Sequence, residues 1–226
     1  GSGKTVLLRT MAVSLALEHG PHDLRLLLID PKGRAFRALV GIPHLLRAPV
    51  TDVNEALEAL GSLVRLMQAR DRRGENKPRI VVFVDELADL AFQSGKVEGV
   101  LARLAQRGRE AGIHLVAATQ RPSAAVISGI MRANFPLRLV GKVVTPEDAR
   151  IAAGRGGTDA EKLNGRGDFL AVGGTALPIR FQVAFIGANE ARDALQDAAR
   201  QQAPMLDLPE AEAAEGAEAI PADDLD

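Results

Sequence analysis

Residues 1–5 read GSGKT, and the apolar stretch VLLRTMAVSLALEH (6–19) that follows them is typical of a helix. A known phosphate-binding loop has the pattern G-x-x-x-x-G-K-[ST], and GKT fills its last three positions. The first glycine of that pattern would fall three residues before Gly1. Two interpretations are open at this point. Either the match is accidental and the first two residues are a cloning remnant, or the chain begins inside a nucleotide site, after the first strand of the fold.

The rest of the chain alternates apolar strands with helices. The pattern predicts buried strands at 24–30, 79–84, 113–119 and 136–143, and helices at 4–19, 53–73, 96–111, 123–133 and 189–202. Two more extended segments, 167–172 and 178–186, indicate an antiparallel pair. This order predicts an α/β fold in which helices cover both faces of a mostly parallel sheet, with the antiparallel pair at the C-terminal end.

The strand IVVFVDE (80–86) ends in two carboxylates. The carboxyl edge of a parallel sheet is where ligands bind, so Asp85 is a candidate to hold Mg²⁺ and Glu86 to polarise an attacking water. The alternative is a solvated acidic pair at a strand end. Because the loop, the helix and this strand occur in the expected order, the sequence favours a phosphate site over an accidental match.

Thr119 and Gln120 end the next predicted strand and are expected at the same edge. Gln120 is a candidate to sense the γ-phosphate or to orient water. The alternative is that both residues only form a turn before Pro122.

Charge and composition divide the chain and exclude some classes of site. Residues 203–226 contain eight acidic residues and no Lys or Arg, whereas residues 1–202 have a net charge of +7. We therefore expect a globular domain over 1–202 and a disordered acidic tail over 203–226. The absence of cysteine excludes disulfides and thiolate metal sites, and the absence of Trp and Tyr disfavours single-strand binding by base stacking.

Six segments together resemble the motor domain of the FtsK/SpoIIIE family of bacterial DNA translocases. They are LIDPK (28–32), GIPHLL (41–46), VVFVDELADL (81–90), RLAQRGREAGIHLVAATQRP (103–122), ISGIMRANFPLRL (127–139) and GRGDFL (165–170). The resemblance implies a RecA-like P-loop NTPase that hydrolyses ATP with Mg²⁺.

The resemblance also assigns roles to particular residues. It implies that Gly1, Ser2, Gly3, Lys4 and Thr5 bind the nucleotide, that Thr5 and Asp85 ligate Mg²⁺, and that Glu86 and Gln120 are catalytic. A ring ATPase also needs a cation from the neighbouring subunit, for which Arg138 is the first candidate and Arg109 and Arg121 are alternatives.

The partners implied by the resemblance are further copies of the chain in a hexameric ring and double-stranded DNA in its pore. Loops beginning near Gln93–Lys96 and Arg121–Ser128 are expected to project into that pore. No winged-helix pattern follows residue 202, so we expect DNA to be held through its phosphates, independently of sequence. The motor is expected in the cytoplasm, tethered to a membrane only through segments outside this chain.

Two alternatives to a DNA pump remain open at this level. One is the related ATPase of a specialised protein-secretion system, although the IDPK and TQRP segments favour the DNA branch. The other is a non-enzymatic remnant that binds nucleotide poorly.

Overall fold

The computed structural model describes residues 2–120, 129–174, 176–196 and 206. Its first sheet consists of β1 (Leu24–Ile29), β2 (Arg79–Val84) and β3 (Ile113–Ala117), which pair in parallel in that order. Every residue of β1 is buried, and so is every residue of β2 after its first. The predicted parallel core is confirmed, since an apolar residue at every position is what a strand covered on both faces requires.

Helices cover both faces of this sheet because alternate strand residues point to opposite sides. The helices are α1 (Lys4–Glu18), α2 (Val53–Arg73), α3 (Leu87–Gln93), α4 (Gly95–Arg107) and α7 (Ala188–Ala194). On one face Leu27, Val82 and Ile113 pack with α2, α3 and α4. On the other face Leu26 and Phe83 pack with α1 and α7.

The strand β3 is less buried than the sequence predicts. Ile113 is buried, but His114 is exposed and Leu115, Val116 and Ala117 are only partly buried. In the described part of the chain no strand pairs with its free side, so β3 is an edge strand and only one side of it is hydrogen-bonded to the sheet.

The second sheet is antiparallel and has three strands rather than two. It contains β4 (Leu137–Gly141), β5 (Asp168–Gly173) and β6 (Ile179–Gln182) in that order. The predicted pair is thus confirmed as β5 and β6, but the fourth predicted strand joins them instead of extending the parallel sheet. This sheet packs on α1, where Leu7 contacts Phe169 and Val183.

Helix boundaries agree best where local signals are strong. The bounds of α2 are those predicted, because Asp52 accepts hydrogen bonds from the amides of Asn54 and Glu55 and Gly74 ends the helix in a left-handed conformation.

Other helices differ from the sequence prediction. The helix α4 ends four residues before the predicted boundary, and α3 and α6 (Pro146–Ala153) were not predicted. Ser94 alone separates α3 from α4, so the prediction of a loop at Gln93–Lys96 is wrong.

Some predictions lie outside the described residues. One is the start of the helix expected at 123–133, of which the structure describes α5 (Gly129–Asn134), and another is the loop Arg121–Ser128. The others are the end of the helix expected at 189–202, of which the structure describes α7, and the tail 203–226 except Leu206. The domain boundary at residue 202 therefore stays a prediction. Within the described ranges no helix combines the length and apolar character needed to cross a bilayer.

Candidate nucleotide site

The amino end of α1 forms one side of the candidate site. Gly3 precedes the helix with φ +96°, a left-handed conformation that glycine adopts without steric cost. The Leu7 amide donates to the Gly3 carbonyl at 2.9 Å and so begins the helix. Among the described residues no side chain caps this end, so the first-turn amides are available to an anion such as phosphate. Gly1 lies outside the described residues.

Thr5 and Asp85 meet at the carboxyl edge of the parallel sheet. The Asp85 amide donates to the Ile29 carbonyl at 3.0 Å, which continues the β1–β2 ladder to the base of the site. The Thr5 hydroxyl donates to Asp85 Oδ1 at 3.3 Å. Both are oxygen ligands of the kind Mg²⁺ prefers, and the two residues adjoin the anion-binding helix end, so this pair fits the predicted metal position.

Burial raises the pKa of the Asp85 carboxyl from 3.8 to about 6, and the negative charge of Asp30 adds to the effect. The Thr5 hydrogen bond and the Lys32 ammonium oppose it without reversing it. A half-buried carboxylate beside other anions is stabilised when a cation binds to it. The electrostatics therefore agree with the oxygen donors in favouring a cation next to Asp85.

Asp30 lies close enough to Asp85 for its charge to raise the pKa of that carboxyl, and it was not singled out from the sequence. Its side chain is buried, and its two oxygens accept the amides of Lys32 at 3.1 Å and Ala35 at 2.6 Å. These bonds shape the turn after β1. The position of Asp30 at the end of the LIDPK strand was a signal that could have identified it, because it follows the same strand-end rule as Asp85.

Glu86 is held in place from two sides. Only 3% of this residue is exposed. Its Oε1 accepts the backbone amide of Gln120 at 3.0 Å, and the Lys32 ammonium lies 3.9 Å from its Oε2. Lys32 also contacts Asp89 at 3.1 Å, which raises the pKa of Lys32. The carboxylate is thus fixed at the sheet edge by the end of β3 and by the turn after β1.

Lys4 lies within the field of both carboxylates. Burial lowers the pKa of Lys4, while the charges of Glu86 and Asp85 raise it in part. A lysine at the start of a helix, close to two acidic groups at one sheet edge, is a compact cation for a polyphosphate.

The structure brings together Lys4, Thr5, Asp85 and Glu86, and Gln120 adds a backbone contact to this cluster, while the predicted role of its side chain stays a prediction. Its amide, rather than its side chain, contacts Glu86, and the residue is exposed.

The structure describes two of the three candidate arginines, Arg138 and Arg109. Arg138 lies on β4, and its guanidinium occupies the space that a Cβ on Gly154, at the end of α6, would need. Arg109 lines a groove of about 630 Å³ with Arg70 and Glu75, at the edge where β2 and β3 begin and hence opposite to the site. Arg121 is outside the described residues.

Comparisons of sequence place the chain among known proteins. A profile of the FtsK/SpoIIIE family matches residues 1–73 and 64–124. The chain is 40% identical over 230 residues to a protein named DNA translocase FtsK from Staphylococcus aureus, and 39% identical to one of the same name from Halalkalibacterium halodurans. Each alignment covers 89% of this chain and 29% of the relative. The chain therefore spans less than a third of the length of these relatives.

Comparisons of structure agree with the sequence. The conjugation coupling protein TcpA of pCW3, in a monomer form with ATPgS, superposes with a TM-score of 0.73 and 26% identity, over 87% of this chain and 62% of that protein. The cytoplasmic domain of the Type VII secretion ATPase EccC from Thermomonospora curvata superposes with a TM-score of 0.78, over 91% of this chain and 28% of that protein, but at 22% identity it bears on the fold alone. With the fold, the sheet-edge cluster and the family profile in agreement, the chain belongs to the FtsK/SpoIIIE family.

Proposed function

We propose that this chain is a motor domain that uses ATP hydrolysis to move double-stranded DNA. The observation that carries the proposal is the cluster of Lys4, Thr5, Asp85 and Glu86 at the carboxyl edge of the parallel sheet, where the Thr5 hydroxyl contacts Asp85 and Glu86 is buried. The sequence identity to proteins named DNA translocase supports the choice of DNA as the substrate.

Each residue has a role that follows from its chemistry. The backbone of Gly1, Ser2 and Gly3 and the amino end of α1 surround the phosphates, and Lys4 neutralises their charge. Thr5 and Asp85 would hold Mg²⁺, which when bound would neutralise the negative charge that develops on the phosphates. Glu86, fixed by the Gln120 amide, orients the attacking water and accepts its proton.

The proposal includes an assembly and a location. Six copies form a ring, and Arg138 reaches the nucleotide of the neighbouring subunit. DNA is held through its phosphates by the positively charged domain. The motor works in the cytoplasm, and segments outside this chain supply any membrane tether. The net charge of +7 over residues 1–202 supports a polyanionic partner.

The test is ATP turnover by the intact protein, with and without duplexes of unrelated sequence. Glu86→Gln is expected to bind ATP but to lose turnover, since the metal site remains and water activation is lost. Lys4→Ala is expected to lose binding as well as turnover. The matched controls are Glu55→Gln and Lys162→Ala, which change exposed residues outside the proposed site and are expected to keep wild-type activity.

The DNA partner is tested by varying salt. Apparent DNA affinity is expected to fall by about 10³-fold or more over a fourfold rise in salt if six or more phosphates are neutralised. Wild-type ATPase activity that no duplex stimulates at any salt concentration would contradict the DNA proposal and favour a protein substrate, as in the secretion ATPases. Full activity of Glu86→Gln would instead show that the wrong residue has been assigned to water activation.

A further inference from the structure

The turn that leads into β5 has an unusual backbone. Gly165, Arg166 and Gly167 are consecutive and all left-handed, with φ of +78°, +53° and +95°. Glycine adopts this region freely, but an arginine there is uncommon. Such a residue persists only where its surroundings hold it, and residues of this kind concentrate at functional sites.

The buried carboxylate of Asp168 stabilises this turn through hydrogen bonds. Asp168 Oδ1 accepts Arg180 Nε at 2.9 Å, and Oδ2 accepts Arg180 Nη2 at 2.7 Å and the Asn164 amide at 2.7 Å. The Gln182 side chain adds a bond to the Arg166 carbonyl at 3.0 Å. The Arg180 guanidinium, together with the Asn164 amide, lowers the pKa of Asp168 to about 2, so the pair stays charged at any working pH.

Gly167 of the same turn lies directly against the candidate phosphate loop. The Gly167 amide donates to the Ser2 carbonyl at 3.0 Å. A Cβ on Gly3 would lie 2.9 Å from the Gly167 nitrogen, and one on Gly141 of β4 would lie 2.8 Å from the Ser2 Cβ. The second sheet therefore fixes the backbone of the two residues that precede Lys4.

We propose that Asp168 and Arg180 are positioning residues of the nucleotide site, acting through the Asn164–Gly167 turn to hold Ser2 and Gly3 in the phosphate-binding conformation. The inference rests on the proposed function, since it assigns these residues to the site that binds ATP. Phosphate recognition by backbone amides depends on placement to within about 0.5 Å, so a loop that loses its support is expected to bind its ligand less well.

The second sheet has other means of staying folded. Val140, Leu170 and Val172 form a core with α6 that does not include Arg180. The Arg180 side chain is 54% exposed, whereas that of Asp168 is 5% exposed. Removing the guanidinium is therefore expected to loosen the turn while leaving the sheet in place.

The experiment measures KM for ATP, kcat and the affinity for Mg·ADP in Arg180→Ala, Arg180→Lys and Arg150→Ala versions of the intact protein. Arg150 is the matched control, because it forms a similar two-bond pair with Glu147 on an exposed face of α6. In Arg180→Ala, KM and the Mg·ADP dissociation constant are expected to rise about tenfold, the effect of one lost charge-assisted contact. The value of kcat is expected to stay within about twofold, because Glu86 and Asp85 do not contact this turn.

The conservative variant separates positioning from general stability. Arg180→Lys keeps the charge and is expected to recover part of the affinity, and Arg150→Ala is expected to match the wild type. A variant whose melting temperature falls while KM and the Mg·ADP affinity stay at wild-type values overturns the inference, because the pair would then be structural only. A fall in kcat at constant KM overturns it as well.

A second pair of variants keeps the inference testable if Arg180→Ala does not fold. Gly167→Ala places a Cβ 2.7 Å from Gln182 Nε2 in the turn, whereas Gly174→Ala changes a left-handed glycine directly after β5 that has open space around it. Only the Gly167 variant is expected to weaken nucleotide binding, and equal binding by the two overturns the inference. If the wild type itself neither binds nor hydrolyses ATP, the proposed function fails first and the inference fails with it.

Discussion

Replacing Asp85 by Asn is expected to stabilise the ligand-free protein at neutral pH. The pKa of this carboxyl is raised from 3.8 to about 6, chiefly by burial and next by the charge of Asp30. At about 1.4 kcal/mol for each pH unit, that difference corresponds to a folding cost of up to about 3 kcal/mol for the ionised form. Asparagine is similar in shape and can still accept the Thr5 hydroxyl, but it carries no charge.

The effect depends on pH in a direction that can be worked out. A raised carboxyl pKa means that the folded protein binds the proton more tightly than the unfolded chain, so stability falls as pH rises from 3.8 to about 6. The cost is absent below this window and complete above it. The advantage of Asp85→Asn is therefore up to about 3 kcal/mol at pH 7.5 and shrinks to about 1 kcal/mol at pH 4.5.

Urea unfolding of metal-free and nucleotide-free protein at the two pH values measures this advantage. Asp52→Asn is the matched control, because Asp52 is an exposed cap of α2 and asparagine caps a helix about as well. With saturating Mg·ADP the order is expected to reverse, since the wild type gains more from binding than the variant does. Destabilisation by Asp85→Asn at pH 7.5 without ligand, or an advantage that does not change with pH, would refute the reasoning.

Two further outcomes are expected. Gly112→Ala is expected to lower the free energy of unfolding by more than about 2 kcal/mol, because φ is +72° and the new Cβ would meet the Asn76 carbonyl. Gly74→Ala, at φ +67° in open space, is expected to lower it by about 1 kcal/mol, and equal unfolding free energies for the two variants would contradict the clash. The Arg138→Ala variant is expected to have no ATP turnover, and mixing it with Lys4→Ala protein is expected to restore part of the turnover, because mixed rings contain interfaces in which both groups are intact. Full activity of the Arg138→Ala variant alone would move the role to Arg109 or Arg121.

The elements that could be predicted are those with strong local signals. The continuous apolar runs of β1 and β2 require burial on both faces, and the bounds of α2 follow from Asp52 and Gly74. The helix α6 was missed although its signal was present. Thr145 accepts the Asp148 amide, the Asp148 carboxylate accepts the Thr145 amide, and Pro146 occupies the first turn, which together form a capping box.

The candidate site was predictable in so far as it follows the ends of strands. Asp85 and Glu86 come directly after β2, so any parallel sheet that contains β2 places them at its carboxyl edge, where ligands bind. The contacts around them were not predictable in the same way. Lys32 reaches Glu86 from the turn after another strand, and the Gln120 amide reaches it from a third, so these distances depend on how the strands stack.

The antiparallel sheet shows the limit of pattern reasoning most clearly. The pattern that identifies β4 as a strand does not show whether it pairs in parallel or antiparallel, because an apolar strand can do either. Its neighbour in the sheet is determined by the residues that pack against it. Here Gly141 of β4 accommodates both Ser2 and the Phe169 ring, where a Cβ would lie 2.8 Å from the Ser2 Cβ and 2.9 Å from Phe169 Cε1. Glycine adopts a left-handed conformation without steric cost, which suits Gly165 and Gly167 to the turn before β5. That the turn supports the phosphate loop follows only from the hydrogen bond between Gly167 and Ser2, two residues that lie far apart in the sequence and meet through tertiary structure.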